Sequence, residues 1–187
     1  MPQLTVIIAS TRPVRAGEPV GRWITDRATA HGGFDVQVAD LAEIGLPLMD
    51  EPNHPRLRKY THAHTKTWSA QVDAADAFVI VTPEYNHGYP APIKNALDYL
   101  FAEWQHKPVG LVSYGSVAGG VRSAQALKPV LQYLKMIPLS ESVIIPFVAK
   151  HIADGVFSST TAIDDSATAM LDELVRLEGA LRPLRGR

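Results

Sequence analysis

Short runs of apolar residues recur along the chain and predict the strands of a sheet. Four of these runs are too short for a helix and rich in β-branched residues, which is typical of strands buried on both faces. They are Leu4–Ala9, Ala77–Val81, Pro108–Ser113 and Ser142–Phe147. A fifth run, Phe34–Leu41, alternates apolar and polar residues, so we expect a strand with one wetter face near a sheet edge.

The segments between these runs have the three- and four-residue apolar spacing of helices. They are Val20–Ala30, Leu57–Val72, Ile93–Trp104, Val121–Leu134 and Ser166–Leu181. Because strands and helices alternate strictly, the pattern predicts an α/β fold, with a doubly wound five-stranded parallel sheet and helices on both faces. We find no internal repeat and no linker, so we expect residues 1–187 to form a single domain with a frayed basic tail at 182–187.

Composition and charge narrow the partners and the chemistry. The chain has 187 residues, with 18 Lys+Arg against 19 Asp+Glu and a net charge of −1, so nothing indicates nucleic acid or an anionic membrane as a partner. The absence of cysteine excludes a disulfide scaffold, a thiolate zinc site and a cysteine nucleophile. The sequence has no signal-peptide pattern and no run of about 18 apolar residues. We therefore expect a cytoplasmic protein without a membrane span.

A His-x-His motif at His62-Ala63-His64 is a candidate for metal binding. It lies in a segment predicted as helix, where the two side chains would point to different faces. No Asp or Glu lies within that short stretch, so we expect no metal site.

Doubly wound proteins bind ligands at the carboxyl ends of their strands, and three loops there are chemically unusual. The first loop, Ser10–Pro19, combines two hydroxyls, two arginines and the start of a helix, which together suit a phosphate. The alternative is a surface loop with two solvated arginines. The loop lacks both the lysine of a P-loop and the spaced glycines of a dinucleotide-binding turn.

The second loop, Thr82–Pro92, is the most specific segment of the chain. Three prolines make it stiff, and two tyrosines offer flat amphipathic surface. Together with the Asn86 amide, these residues suit the edge of a planar heteroaromatic ring. The alternative is a rigid turn with ordinary tyrosine packing. Two further questions stay open: whether Glu84 is a general acid or a paired residue, and whether His87 is catalytic or structural.

The third loop, Ser113–Arg122, separates a strand from a helix by three glycines and two serines. Glycine lets a backbone approach a ligand closely. Such turns are common, so it is the position of this loop on the same sheet edge that indicates a ligand.

Segments of these loops resemble the NADPH-dependent FMN reductase family. They are Ser10-Thr11-Arg12, Thr82-Pro83-Glu84-Tyr85-Asn86, Lys94-Asn95-Ala96-Leu97-Asp98-Tyr99 and the segment from Ser113 to Arg122. The likeness spans roughly residues 3–147. It implies a flavodoxin-like fold, a tightly held FMN, NADPH or NADH as hydride donor, and a homodimer that is often a dimer of dimers.

The resemblance also implies site residues, position by position. Those expected at the FMN phosphate are Ser10, Thr11, Arg12, Glu18, Pro19 and Val20. Those expected along the isoalloxazine edge are Pro83, Glu84, Tyr85 and Asn86. Those expected to close the other side are Ser113, Tyr114, Gly115, Gly119 and Gly120. Many members have a serine a few residues after the loop arginine, where this chain has Arg15-Ala16-Gly17, so the role of Arg15 stays open.

The implied function is an NAD(P)H-dependent FMN oxidoreductase that passes electrons to a flavin, quinone, azo compound or metal oxyanion. The flavin carries the chemistry, so no catalytic triad is needed. The alternatives are a flavodoxin-type electron carrier, which we would expect to be more acidic, and a non-redox nucleotide-binding module on the same fold. The apolar stripe of Ile93–Trp104 is wider than one sheet contact needs and predicts a homodimer interface.

Overall fold

The computed structural model describes residues 1–185, which contain a parallel sheet of five strands. The strands are β1 (Gln3–Ile8), β2 (Asp35–Asp40), β3 (Ala77–Pro83), β4 (Pro108–Tyr114) and β5 (Ile137–Ile145). Their spatial order is β2-β1-β3-β4-β5, and each neighbouring pair is parallel. The order therefore reverses between β1 and β3, which confirms the predicted doubly wound, flavodoxin-like fold class.

Helices cover both faces of the sheet. They are α1 (Gly17–His31), α2 (Leu41–Ile44), α3 (Ala63–Ala74), α4 (Ala91–Asp98), α5 (Val121–Tyr133) and α6 (Thr161–Leu181). The helices α3, α4 and α5 pack on one face and α1 and α6 on the other, so the sheet separates two apolar cores. A short hairpin of β6 (Ile152–Ala153) and β7 (Val156–Phe157) was not predicted. Among residues 1–185, no helix combines the length and apolarity that a bilayer crossing requires.

The last strand of the sheet departs from its predicted burial. We expected Ser142–Phe147 to be covered on both faces, but β5 begins at Ile137 and lies at the edge of the sheet. Val143 is fully buried, whereas Ile144 is 45% exposed. A run of β-branched residues therefore does not distinguish a central strand from an edge strand when apolar residues also occupy the outer face. The other edge strand, β2, lies where its alternating pattern predicted.

The helix predicted over Leu57–Val72 begins six residues later, at Ala63. Pro55–Leu57 forms a single 3-10 turn, and Arg58 then has a left-handed backbone with φ of 51°, which a continuous right-handed helix does not allow. The Glu51 carboxylate accepts two backbone N–H groups just ahead of α3. These contacts replace the missing helical turn.

Most apolar side chains of the stripe Ile93–Trp104 are buried within the single chain, although Phe101 is half-buried, so the stripe offers less open surface than predicted. Tyr99, which widened the stripe, is fully buried. Its hydroxyl donates to the Asp50 carboxylate at 2.9 Å, because the segment after α2 lies over this part of α4. The homodimer itself stays a prediction.

The C-terminal segment is not frayed over its described part. Arg182–Arg185 form a 3-10 turn. The Arg185 side chain is 3% exposed and pairs with Glu178 at 2.6 Å and with Asp76 at 3.3 Å. The prediction of a frayed tail is therefore wrong for these four residues, while residues 186–187 lie outside the described range.

Candidate active site

The three loops selected from the sequence lie side by side at the carboxyl edge, because β1, β3 and β4 are neighbours. The Tyr114 hydroxyl of the third loop donates to Ser10 Oγ of the first loop at 3.1 Å. The Glu84 carboxylate of the second loop accepts from Arg122 at the end of the third. The loops therefore form one connected edge at the point where doubly wound folds bind ligands.

The first loop contains two arginines in opposite environments. Arg12 is exposed, and within residues 1–185 it has no hydrogen-bond or ion-pair partner. Arg15 turns inward, where it pairs with Asp40 at the end of β2 and donates to the Ser10 carbonyl oxygen at 2.6 Å. Only Arg12 is open to an anion from solvent. Asp40 was missed as a site residue, because no local pattern connects it with a loop 25 positions earlier.

The first turn of α1 offers backbone donors to the same edge. No side chain caps the helix at Ala16, and the first helical hydrogen bond runs from the Val20 N–H to the Ala16 carbonyl oxygen at 3.3 Å. Within the described chain, the N–H groups of Gly17 and Glu18 have no acceptor, which favours an anion at this helix end. Pro19 has no N–H, and both it and Val20 are buried in the first turn of α1, so their expected contact with a phosphate stays a prediction.

The second loop ends in a tight turn that points its two central residues outward. Tyr85 and Gly88 exchange two backbone hydrogen bonds, at 2.9 and 3.0 Å. Asn86 and His87 both have left-handed backbones, with φ of 50° and 69°, which is the pattern of a type I′ turn. Both are exposed, whereas Pro83 is buried at the end of β3. The turn therefore presents a rigid polar tip at the carboxyl edge of the sheet.

Glu84 is a paired residue, one of the two alternatives left open by the sequence. Arg122 donates to its carboxylate through Nε at 2.6 Å and through its backbone N–H at 3.1 Å. Partial burial alone would raise the pKa of Glu84, but the hydrogen bonds from Arg122 outweigh it and lower that pKa. An ionised, paired carboxylate is suited to fixing the second loop against α5 rather than to donating a proton.

The third loop is built from the inside by two of the expected residues. Ser113 is buried and donates through Oγ to the Gly119 carbonyl oxygen at 2.9 Å. Tyr114 is also buried, and this burial raises the pKa of its hydroxyl. Gly120 has φ of 84°, and a Cβ there would lie 2.6 Å from the backbone nitrogen of Tyr114, so only glycine fits. Gly115 is half-buried, and its N–H donates to the Ile145 carbonyl oxygen at 3.3 Å while its carbonyl oxygen accepts from the Val148 N–H at 3.1 Å.

A cleft of about 330 Å³ adjoins the first loop and was not predicted. Thr11, the exposed Leu48 and Pro92 at the start of α4 are among its lining residues. Asn95 fixes its outer wall, because its amide donates to one backbone group and accepts from another within residues 47–49, at 2.7 and 2.9 Å. The wall has neither helical nor strand periodicity, so no pattern in the sequence predicts it.

The His-x-His motif also differs from its prediction. His62 precedes α3 instead of lying within it, so the rings of His62 and His64 stack, with centroids 5.2 Å apart. His64 Nε2 lies 3.0 Å from a carboxylate oxygen of Asp50. In residues 1–185 no three or more His, Asp or Glu side chains are grouped as a metal ion would require.

Comparison with known proteins identifies the family. The model of the NADPH-dependent FMN reductase family matches residues 2–150. An NAD(P)H-dependent FMN reductase of Schizosaccharomyces pombe is 42% identical over 137 residues, covering 72% of this chain and 68% of that protein. Another, from Nectria sp., is 35% identical over 167 residues, covering 83% of each. The flavoenzyme NAD(P)H:(acceptor) oxidoreductase FerB from Paracoccus denitrificans shares the fold, with a TM-score of 0.74 at 21% identity over 96% of this chain and 98% of that one. The chain therefore belongs to the NADPH-dependent FMN reductase family, as the loop motifs predicted.

Proposed function

We propose that this chain is a cytoplasmic NAD(P)H-dependent FMN oxidoreductase whose FMN lies across the three loops of the carboxyl edge. Hydride passes from NADPH or NADH to the flavin and then to a small acceptor, which is a flavin, quinone, azo compound or metal oxyanion. One observation carries the proposal. The contacts Tyr114–Ser10 and Glu84–Arg122 join the loops into one edge, and Arg12, at one end of it, has no partner among residues 1–185. Membership of the family supplies the chemistry of this edge.

The first loop fits the phosphate end of FMN. The Arg12 guanidinium and the N–H groups of Gly17 and Glu18 are donors that have no partner in the described part of the chain, and Thr11 adds an exposed hydroxyl. Charged donors and a helix N-terminus together favour a phosphate. The hydroxyl of Ser10 is bonded to the third loop, so we assign Ser10 to shaping the loop rather than to direct contact.

The second and third loops fit a planar ring. The half-buried Tyr85 offers a flat side chain, Asn86 offers an amide at the tip of the turn, and Gly115 has no side chain to block a close approach. Bound FMN supplies the hydride-accepting ring, while the chain orients that ring and limits its access to water. We assign the other expected residues of these two loops to shaping their conformation. They are Pro83, Glu84, Ser113, Tyr114, Gly119 and Gly120.

Anaerobic reduction of the purified, FMN-reconstituted protein tests this function. We expect visible flavin absorption bands, rapid bleaching by NADPH or NADH in a stopped-flow experiment, and reoxidation by an acceptor from a panel of quinone, azo dye, free flavin and metal oxyanion. A flavin that dithionite reduces but neither nicotinamide reduces would identify an electron carrier instead. Failure to bind FMN would favour a non-redox module.

We also propose a homodimer, or a tetramer built from it, joined through an apolar face between α4 and α5. A shallow cleft of about 460 Å³ there is lined by Met49, Phe101 and the largely exposed Tyr133, among others. Exposed apolar surface of this kind is stabilised when a second copy covers it. Light scattering should give twice or four times the chain mass of 20.4 kDa, and Tyr133→Glu should give the single-chain mass. A wild-type protein of single-chain mass with full FMN content would contradict this assembly.

A further inference from the structure

Arg15, the inner arginine of the first loop, is hydrogen-bonded within the protein. The Arg15 guanidinium donates to both carboxylate oxygens of Asp40 and to the Ser10 carbonyl oxygen. The Arg15 and Asp40 side chains are only 10% and 7% exposed. Asp40 also accepts the Ala42 N–H at 3.0 Å, at the start of α2. The pair thus joins the first loop, the end of β2 and α2.

This pair closes the base of the exposed part of the loop. Ser10 and Arg15 flank residues 11–14, and the hydrogen bond between them holds the two ends of that segment together. Ser10 is fixed a second time, by the Tyr114 hydroxyl. Arg12 lies between these fixed ends and has no partner within residues 1–185. A short segment with fixed ends has few conformations left to lose when a ligand binds.

We propose that Arg15 and Asp40 are positioning residues for the phosphate of FMN, which hold Arg12 and the α1 N-terminus in their binding geometry without touching the phosphate. This inference rests on the proposed function, because it assumes that FMN binds at the first loop. Direct contact by Arg15 would require the phosphate to displace a buried, bidentate carboxylate, which is among the stronger pairs that a protein offers.

The Arg15–Asp40 pair could influence a bound phosphate by its charge or by positioning the loop. The two possibilities predict opposite changes in FMN affinity for Asp40→Asn. The substitution removes a negative charge near the first loop, so long-range attraction alone would tighten FMN binding. Positioning predicts weaker binding, because the charge-assisted contacts that fix the loop are lost. The amide keeps the size of the side chain, so the sign of the change separates the two explanations.

Fluorescence titration of apoprotein with FMN and with riboflavin is the test. We expect Asp40→Asn and Arg15→Gln each to weaken FMN binding about tenfold and riboflavin binding less than threefold. In an Arg12→Ala background, the same two substitutions should weaken FMN binding less than about threefold, because Arg15 and Asp40 no longer have Arg12 to position. Arg185→Gln, which breaks a buried ion pair elsewhere in the fold, is the matched control and should leave the ratio of the two affinities unchanged.

Several outcomes would overturn the inference. Tighter or unchanged FMN binding by Asp40→Asn would do so, as would equal losses for FMN and riboflavin, or full additivity with Arg12→Ala. If Arg15→Gln does not fold, Asp40→Asn alone still decides the sign. A wild-type protein that does not prefer FMN to riboflavin would instead contradict phosphate binding itself, and with it that part of the proposed function.

Discussion

The two edges of the sheet use polar groups differently. At the amino edge, a buried ion-pair network joins β1, β3 and β4. At the carboxyl edge, hydrogen bonds join the loops that follow the same three strands, but the Arg12 guanidinium has no partner within residues 1–185. At the amino edge, Arg185 donates to Glu178, to Asp76 ahead of β3 and to the His106 carbonyl oxygen ahead of β4. Asp76 in turn accepts the N–H of Gln3 at the start of β1 at 2.9 Å. The charges at the amino edge are therefore paired with one another inside the protein.

At the carboxyl edge, polar contacts fix the loops but do not consume all of their donors. Ser10 is bonded to Tyr114, and Glu84 to Arg122, yet Arg12 has no partner in the described chain. The left-handed turn of the second loop lies at this edge as well. A polar network therefore stabilises the fold where its charges are neutralised internally, and is suited to binding where one charge is held in place and left open.

Removing the central carboxylate of the amino edge should have the largest effect. Glu178 is 2% exposed and pairs with Arg182 and Arg185. We expect Glu178→Ala to lower the free energy of unfolding of the apoprotein by about 3 kcal/mol, because the buried Arg185 loses its nearest counter-charge. Urea unfolding at pH 7 measures the loss. Arg176→Ala, which breaks an exposed pair on the same helix, should cost less than about 0.5 kcal/mol. A similar cost for both variants would contradict this role.

Removing the free charge of the carboxyl edge should affect binding and leave stability unchanged. We expect Arg12→Ala to weaken FMN binding about tenfold to a hundredfold, since a hydrogen bond to a charged group contributes roughly 1.5–3 kcal/mol. The free energy of unfolding of the apoprotein should change by less than about 0.5 kcal/mol, because Arg12 bonds to nothing else within residues 1–185. Parallel titrations with FMN and riboflavin check the assignment. Equal losses for the two ligands would remove the phosphate contact from the proposal.

The segment between α2 and α3 should give a smaller and pH-dependent effect through Glu51. Partial burial would raise the pKa of Glu51, but hydrogen bonds from Thr61 and His62 outweigh it and hold the pKa at about 2, against an ordinary value of 4.5. A lowered pKa means that Glu51 stabilises the fold above about pH 4.5 and loses this contribution as the pH falls towards 2.

Glu51→Gln should therefore lower the free energy of unfolding by about 1 kcal/mol at pH 7, and its difference from the wild type should narrow as the pH falls to 3. Urea unfolding at pH 7, 4 and 3 would follow this trend. A difference that stays constant over this range would show that the carboxylate charge contributes nothing.

The sequence predicts the sheet well and the contacts around it poorly. All five strands and the three loops follow from local patterns, because a buried strand needs an apolar run and parallel strands end at a common edge. The Arg15–Asp40 contact does not, since its partner comes from another strand. Arg58 gave no local sign of its left-handed backbone, so the start of α3 was misplaced.

The exposure predicted for the apolar stripe of Ile93–Trp104 was too large for a similar reason. Its width was estimated from one helix and one sheet, but the segment that carries Asp50 lies over Tyr99 and accepts its hydroxyl. Periodicity describes the face of one element and contains no information on an irregular segment that packs against it. The position of such a segment depends on single contacts, here those of the Asn95 amide and the Tyr99 hydroxyl.

The smallest effect we expect is at the turn of the second loop, and its direction is opposite to the others. A type I′ turn strongly favours Asn followed by Gly, and this chain has Asn86 followed by His87, both left-handed. His87→Gly should raise the free energy of unfolding of the apoprotein by about 0.5 kcal/mol, because glycine adopts positive φ without steric cost. Asn86→Gly is the control and should change it less, since asparagine already tolerates this conformation. Lower stability of His87→Gly would mean that the imidazole makes a stabilising contact. If His87→Gly is more stable but its FMN is reduced more slowly by NADPH or NADH, His87 contributes to the reaction at the expense of stability.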